Sequence, residues 1–469
     1  MNKRIGAAAL AAVLLSGCAV GPNYRRPNVP LPTQFRGADA SWTGSPEASI
    51  AETKWANLFG DETLNKLIST ALERNFDLRI AAERVEQARA NVGIARAPLF
   101  PFVNAQAGFV TNRQSRVGSI PFAAPGARLN AAYTQVGAAL NWELDVWGRI
   151  RRLTESARAQ YLASEEGRRG VLVSLIADVT STYFQLLEFE LELDISRRTR
   201  DTAEQSLRLV RLQRDRGAAT GLDVRQAEQL LYTATAEIEA VERAITQTEN
   251  ALSLLLAEAP AAQPTGQRLD QVPVPQSLPE GLPSALLERR PDIRAAEQNL
   301  IAANAEIGAA RALYFPQITL TGFAGGQSRA LTEIATTPAR FLTFSPLLNL
   351  PLFQGGRIRS QVRLTEAQAR ELVVTYEKTI YTALREVSDS LVAYERTKGQ
   401  REQQQLLVQT LSESVRLSTL RYRGGLDSYL QVLFAQRNLF SGELVLARLL
   451  LDERLAVVQL YRALGGGWQ

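Results

Sequence analysis

The residue types that most often carry out chemistry in proteins are nearly missing from this sequence. Its 469 residues include no His, one Cys (Cys18) and one Met (Met1). Catalytic triads with a His base, zinc sites with His ligands and soft-metal sites are therefore excluded. Carboxylate chemistry remains, but the acidic residues belong to helical charge patterns and form no isolated pair. We expect no enzyme activity, no cofactor and no metal.

Cys18 is the one residue that suggests a covalent modification. A charged start and an apolar stretch at 7–15 precede Leu15-Ser-Gly-Cys18, a pattern typical of a signal peptide that ends in a bacterial lipobox. We predict that 1–17 are removed and that Cys18 is lipidated. An ordinary signal peptide followed by a free cysteine is the alternative. Ala19, rather than Asp, follows the cysteine, and by resemblance to lipoprotein sorting rules this favours the outer membrane.

The charges of the mature chain are balanced and intermixed. Removal of 1–17 takes two of the 53 basic residues, so the net charge falls from +5 to +3. No basic patch results, and the sequence gives no reason to expect a nucleic-acid partner.

The chain contains an internal repeat. Residues 77–101 align with 292–316 without a gap, and eleven of the 25 positions are identical. Further along, Gly148-Arg-Ile-Arg151 recurs as Gly356-Arg-Ile-Arg359, at a shift of 208. Because the period is far longer than that of solenoid repeats, the sequence indicates two equivalent halves.

Each half contains one very long predicted helix. No proline occurs between Gly148 and Arg216, and apolar residues recur at spacings of three and four. About 68 residues at 1.5 Å each predict a rod of roughly 100 Å, and 356–423 form a matching stretch. The rods can pack as a solid bundle or form the staves of a hollow tube.

Glycine-containing turns end both rods at equivalent positions. Gly217 and either Gly424 or Gly425 suit left-handed helix C-caps. Thr220-x-x-Asp223 and Ser428-x-x-Gln431 both predict capping boxes that open the return helices.

Four segments alternate apolar and polar residues, at about 99–114, 130–146, 314–327 and 340–353. Alternation with period two predicts strands with one apolar and one polar face. A soluble sheet packed on helices and a membrane barrel both fit this pattern, and an exported lipoprotein favours the barrel. Because transmembrane barrels need at least about eight strands, four strands span a membrane only if several chains combine them.

The predicted organisation follows from these elements. A signal peptide (1–17) and a lipidated, extended arm (18–60) precede the first repeat (61–257). A proline-rich crossing (258–290) then leads to the second repeat (291–469).

These features resemble the TolC-type outer-membrane efflux channels and, within them, the lipoprotein, NodT-type branch. The more specific motifs of the resemblance are Phe100-Pro101, Phe315-Pro316, Pro351-Leu-Phe-Gln-Gly-Gly-Arg357 and the segment 421–440. The resemblance covers nearly the whole mature chain. It implies a mixed α and β membrane protein: a homotrimer with a 12-stranded β-barrel, four strands per chain, continued by a long α-helical barrel into the periplasm. The implied function is passive exit through the outer membrane of a Gram-negative bacterium.

The resemblance also implies partners and sites. The helical tips would contact a periplasmic adaptor (membrane fusion) protein and, through it, an inner-membrane resistance-nodulation-division (RND) pump. The residues expected at the adaptor contact are Gly217, Thr220, Gly221, Arg423, Gly424, Gly425, Leu426 and Asp427. Family members often close the tip with acidic residues at positions that are Gln431 and Phe434 here, so the gate candidates are Asp223, Tyr422, Leu430, Gln431 and Phe434. The alternatives are the exit duct of a type I secretion system and a structural coiled-coil lipoprotein.

Overall fold

The structure, a computed structural model, describes residues 19–37, 49–53, 55–113, 115, 130–275, 279 and 281–467. The predicted signal peptide and Cys18 lie outside the described residues. The first half contains helices α1 (Glu62–Arg74) and α2 (Phe76–Arg96), strands β1 (Phe102–Arg113) and β2 (Asn130–Leu144), and helices α3 (Arg149–Asp215) and α4 (Gly221–Leu255).

The second half repeats this order. It contains the short helix α5 (Leu286–Arg289), helix α6 (Pro291–Ala312), strands β3 (Gln317–Ser328) and β4 (Arg340–Asn349), and helices α7 (Arg357–Arg423) and α8 (Tyr429–Ala463). Helices α3 and α7 each have 67 residues, and α4 and α8 each have 35. At 1.5 Å per residue the two longest helices each extend about 100 Å.

Local chemistry explains where these elements start and stop. Asn75 ends α1, and its side-chain oxygen accepts a hydrogen bond from Leu78 N (3.1 Å), which opens α2. The helical segment is therefore interrupted at Asn75. Strand β1 begins at Phe102, directly after Pro101, and β4 ends at Asn349, two residues before Pro351.

The chain divides into two compact units. Unit 1 contains Met1–Asn28, Val85–Ser164 and Ala296–Tyr376, and unit 2 contains Val29–Arg84, Glu165–Ala295 and Glu377–Gln469. In unit 1 the four strands form one antiparallel sheet in the order β1-β2-β3-β4. Neighbouring strands thus follow each other along the chain, although β2 and β3 belong to different halves.

The first described residues of the N-terminal arm, 19–28, are held in unit 1 by specific contacts. The Arg26 guanidinium donates to both carboxylate oxygens of Glu297 at 2.6 Å, and the Tyr24 hydroxyl donates to the same carboxylate. Gly21 lies so close to Gly308 that a Cβ on Gly21 would be 2.4 Å from the Gly308 Cα. Residues 19–28 are therefore packed on α6.

The core of unit 2 forms around α3. The buried Tyr183 hydroxyl donates to Asp61 Oδ2 (2.8 Å) and accepts from Gly266 N (3.0 Å), while Phe184 meets Phe59 edge to face. One stretch of α3 is long and apolar enough to cross a membrane, but 56% of it is buried within the chain. That burial is typical of a packed core helix.

Candidate functional site

The two helical hairpins end in matching turns in unit 2. At the first, Gly217 has φ +76°, its N–H donates to Arg214 O (2.9 Å), and Ala218 N donates to Gln213 O (2.8 Å). At the second, Gly425 has φ +71°, its N–H donates to Tyr422 O, and Leu426 N donates to Arg421 O (2.9 Å). Both are Schellman motifs, with the glycine in the left-handed position. Gly425, not Gly424, therefore makes the predicted left-handed cap.

The return helices begin differently from each other. Thr220 and Asp223 form the predicted capping box: Asp223 N donates to Thr220 Oγ1 (3.2 Å) and Thr220 N donates to Asp223 Oδ2 (2.7 Å). Ser428 also caps its helix, but no side-chain capping bond forms there, and Gln431 N donates to the Ser428 carbonyl instead (3.2 Å). The second capping-box prediction is wrong. A Gln at this position can accept the reciprocal bond, but Gln431 is exposed and no side-chain capping bond forms between it and Ser428.

An apolar cluster joins the two hairpins just behind the turns. Tyr429 and Val432 of α8 pack with Leu207 of α3 and Leu230 of α4, and the cluster also includes Ala203, Val210, Val224, Ala227 and Leu433. The Tyr429 ring lies edge to face with Tyr422, at 5.5 Å between centroids. Burial raises the pKa of the Tyr429 hydroxyl to about 12. The tips therefore have a continuous core that includes residues of both halves.

Ion pairs surround this cluster. Arg421 bridges the second turn with two hydrogen bonds to Asp427 (2.6 and 3.0 Å), and this lowers the pKa of the carboxyl. Glu228 of α4 accepts from Arg211 (2.9 Å) and Arg225 (2.8 Å), and these bonds lower its pKa in the same way. The cause is hydrogen bonding to the charged form.

The residues expected at the adaptor contact lie on the outside of the turns. Gly217, Thr220, Gly221, Arg423, Gly424 and Gly425 are exposed, and Asp427 is half-buried in its bridge to Arg421. Leu426 is 71% exposed and Leu222 is exposed beside the first turn. A Cβ on Gly217, Gly221 or Gly425 would meet no atom within 4 Å. The turns thus offer bare backbone with an apolar side chain next to each.

The gate candidates occupy different environments. Tyr422 packs against the apolar cluster, and Asp223 and Leu430 are half-buried. Gln431 is exposed, and so is Phe434, whose ring lies 5.7 Å from the Arg437 guanidinium.

The sheet of unit 1 has two chemically distinct faces. Directly opposed residues point to the same face, and one row across all four strands is Val103, Leu140, Gly322 and Phe344. On the other face the corresponding row is Phe102, Asn141, Thr321 and Ser345, which is polar in its last three members, and the Thr321 hydroxyl donates to Ser345 O (3.1 Å). The register therefore aligns the alternation seen in each strand into one apolar and one polar surface.

The combination of long helical hairpins and a four-stranded sheet also occurs in known proteins. Residues 67–258 and 282–466 match the family described as Outer membrane efflux protein. The chain belongs to this family. It is an efflux channel of the outer membrane of Gram-negative bacteria, a transport role, and the predicted resemblance is confirmed.

Individual relatives support this assignment. The channel is 40% identical over 461 residues to the solvent efflux pump outer membrane protein SrpC of Pseudomonas putida, which covers 98% of this chain and 97% of the relative. It is 39% identical over 464 residues to the outer membrane protein OprJ of Pseudomonas aeruginosa, with 98% and 95% covered. The crystal structure of the open state of the Neisseria gonorrhoeae MtrE outer membrane channel superposes with a TM-score of 0.84 at 31% identity, covering 96% and 99% of the two chains. The predicted mixed α and β channel fold is confirmed.

Sequence reasoning missed several residues of the tips. Gln213 accepts a hydrogen bond from the Tyr422 hydroxyl, and Glu228 joins Arg211 to Arg225. The sequence did contain a signal for Glu228: it is an acidic residue on an otherwise apolar face of a predicted helix. Within the described residues no group of three or more His, Cys, Asp or Glu could hold a metal ion.

Proposed function

We propose that the channel works as a homotrimer whose strands close into one barrel. The observation that carries this proposal is the pair of open edges in the sheet: within the described strands, β1 pairs only with β2 and β4 only with β3. In hydrocarbon each unpaired backbone group costs several kcal/mol. Pairing β4 of one copy with β1 of the next removes both edges, and three copies supply 12 strands.

The two faces of the sheet set the orientation of this barrel. The apolar row at Val103 and Leu140 faces lipid, and the polar row at Asn141 and Thr321 faces the lumen. We infer that Cys18 carries the acyl chains. The next residue, Ala19, lies against the turn between β2 and α3, since a Cβ on Gly148 would lie 2.8 Å from the Ala19 Cα.

The tips form the entrance for substrate. We infer that a periplasmic adaptor protein contacts the exposed turns through Gly217, Thr220, Gly221, Arg423, Gly424, Gly425, Leu426 and Asp427, and links them to an inner-membrane RND pump. Glycines without neighbouring atoms let a partner backbone approach, and Leu426 provides an apolar contact. The pump selects the substrate, and the channel conducts it passively.

Packing rather than a ring of carboxylates closes the entrance in this proposal. Phe434 and Leu430 of each copy line the constriction, with Gln431 between them, while Tyr422 holds the end of α7 against the cluster. A narrow apolar ring stops ions by dewetting. Asp223, the acidic candidate, is occupied by its capping box.

The oligomer is tested by extraction of the full-length protein from outer membranes in detergent, followed by native mass measurement and chemical cross-linking. We expect a species of three chains. A folded monomer that remains inserted in the membrane would contradict the proposal.

A further inference from the structure

Unit 2 contains a recess of about 900 Å³, a size that suits a small organic molecule. A stretch of α3 forms its floor, and its walls come from α7, from the first residues of α2 and α6 and from the last residues of α4 and α8. Two buried side chains fix the helix ends in the walls. Asn75 Nδ2 donates to Leu255 O (2.9 Å), and Arg290 Nη1 donates to Ala463 O (2.8 Å). The recess is therefore bounded by helix ends that are already held in place.

The floor of the recess has two glycines in the interior of a helix. Gly167 and Gly170 belong to the 67-residue helix α3, where glycine is less favourable than alanine. A Cβ on Gly167 would meet no atom within 4 Å, and one on Gly170 would only touch Pro291 at 3.9 Å. In the second repeat, 208 residues later, Thr375 and Lys378 occupy these positions. The two glycines thus widen the recess without serving close packing within the chain.

A buried carboxylate in the lining lacks a hydrogen-bond donor. Glu166 is 6% exposed. Its Oε1 accepts from Arg169 (2.6 Å) and lies 2.8 Å from Arg294 Nη2, whereas Oε2 is buried and has no hydrogen-bond partner among the described residues. A buried acceptor that finds no donor is unfavourable, and a carboxylate oxygen can only accept. A ligand in the recess that carries a donor would satisfy Oε2.

The other charges of the recess also favour a ligand with positive charge. Arg290 is buried and already bonded to Asp292 (2.7 Å) and Glu386 (2.8 Å). Two further guanidiniums of the lining, those of Arg84 and Arg462, are exposed. Three further carboxylates are exposed on walls that belong to three different helices: Asp77, Asp178 and Asp389. With Glu166, four carboxylates outside the Arg290 group therefore face two exposed guanidiniums.

The positions of the carboxylates indicate the shape of the ligand. Glu166 and Asp178 are separated by roughly 18 Å along α3, so no single point charge can reach both. Ile80 and Val171 line the recess as well and offer apolar surface. A metal ion fits less well, because it needs several oxygen ligands around one point, and the described residues contain no such group.

We propose that this recess binds an organic oligoamine, a flexible methylene chain that carries several ammonium groups. One ammonium group donates to Glu166 Oε2 and another to Asp178, while the methylene groups between them lie on Val171 and Ile80. One chain forms the whole recess, so the inference goes beyond the proposed homotrimer and does not rest on it.

Isothermal titration calorimetry of the full-length, detergent-extracted protein with spermine tests this site. Spermine whose two terminal amines are acetylated is the matched ligand, because it keeps the chain and loses the terminal charges. Inorganic phosphate tests the opposite reading, in which Arg84 and Arg462 select an anion. Native mass measurement of the same sample reports the oligomer separately.

Three variants change the recess in different ways. Glu166→Gln removes the charge at the buried oxygen, and Asp178→Asn removes one at an exposed position. Gly167→Leu fills the floor with a residue that favours the helix. Gly399→Leu is its matched control, because Gly399 lies in α7 outside the recess and a Cβ there would also meet no atom within 4 Å.

We expect one spermine per chain and binding that is about tenfold weaker after loss of one charge-assisted hydrogen bond, in Glu166→Gln, in Asp178→Asn and with the acetylated ligand. Gly167→Leu should not bind, and Gly399→Leu should bind as wild type does. If Glu166→Gln or Gly167→Leu loses its helical circular dichroism signal, Asp178→Asn and the acetylated ligand decide.

No binding of spermine, equal affinity for the acetylated ligand, or wild-type affinity in Asp178→Asn would overturn the proposal. Binding of phosphate in place of spermine would overturn it too, because the guanidiniums would then determine the ligand. A native mass of one chain with spermine bound would contradict the homotrimer and leave this site intact.

Discussion

The Tyr422 hydroxyl donates a hydrogen bond to the Gln213 side-chain carbonyl and so ties the end of α7 to the end of α3. These residues lie at equivalent ends of the two halves, each a few residues before a left-handed glycine. Beneath the bond, the Tyr422 ring packs on Tyr429 of the apolar cluster. The two hairpin ends are thus linked by one polar bond and one aromatic contact.

Tyr422→Phe should loosen the tip while keeping the ring. Loss of one part-buried hydrogen bond costs about 1 kcal/mol, so the hairpin ends should separate more often and the mean conductance of purified protein in planar bilayers should rise. Tyr394→Phe is the matched control, because it removes a comparable bond from α7, to Pro275 O at 2.8 Å, away from the turns. Equal conductance of Tyr422→Phe and wild type would show that this bond does not hold the tip closed.

Phe434→Ala should raise conductance more than Asp223→Asn does. Removing the exposed ring widens an apolar constriction, whereas Asp223→Asn weakens a helix cap, which costs about 1 kcal/mol of stability and leaves the pore lining unchanged. Single-channel recordings of both variants beside wild type make the comparison. A larger increase for Asp223→Asn would show that the acidic residue is the gate.

The same gate predicts that conductance varies little between about pH 5 and 7. Arg421 lowers the pKa of Asp427, and Arg211 and Arg225 lower that of Glu228. A carboxyl whose pKa is lower in the folded state than in the unfolded chain stabilises the fold at pH values above its ordinary pKa, near 4. It loses that effect only as the pH falls below this ordinary pKa. These ion pairs therefore stay intact across the range. A steep pH response that disappears in Asp223→Asn would contradict the apolar gate.

Glu188→Gln should flatten the pH dependence of stability in the helical part. Glu188 and Glu192 are both 3% exposed, and Arg448 donates to Glu192 at 3.2 Å. Burial, with the neighbouring Glu192 carboxylate, raises the pKa of Glu188 to about 8. Since the folded state then keeps a proton that the unfolded chain releases near pH 4.3, stability should fall as the pH rises from about 5 to 8.

Thermal unfolding of detergent-extracted protein at pH 5 and pH 8, followed by the helical circular dichroism signal, measures this slope. Glu239→Gln on α4 is the control, since its carboxylate is exposed and should not change the slope. A slope in Glu188→Gln equal to that of wild type would show that Glu188 is ionised in the folded protein.

Cys18→Ser with a cleavable signal peptide should remove the acyl anchor without releasing the channel. Acyl chains give modest membrane binding, whereas a closed barrel has no route out of the bilayer. Fractionation of cells should find the variant in the outer membrane, resistant to extraction with salt. Recovery of the variant as a soluble periplasmic protein would mean that the strands do not span the membrane.

Local patterns predicted much of the fold because local forces determine it. The absence of proline and the three-and-four spacing predicted α3 and α7, and the glycines predicted the turns at Gly217 and Gly425. The bond between Tyr422 and Gln213 joins residues 209 positions apart, so it depends on helix rotations that no local pattern contains. At Ser428, by contrast, a local pattern predicted a feature that does not form. The spacing of Ser428 and Gln431 matched a capping box, but the structure has no side-chain capping bond there.

Export through the tips is tested most directly by Gly425→Asp. The substitution adds a charged side chain where the turn presents bare backbone, and Asp tolerates the left-handed conformation better than most residues. Gly60→Asp is the matched control, because Gly60 also has a positive φ (+61°) and a Cβ there would meet no atom within 4 Å. Gly60 is far from the turn: it precedes Asp61, whose partner Tyr183 lies more than thirty residues before Gly217 in the sequence. Accumulation of a fluorescent efflux substrate should rise to the level of a channel-deficient strain in Gly425→Asp and stay at wild-type level in Gly60→Asp, with normal trimer yield in both. Wild-type efflux by Gly425→Asp would contradict the account.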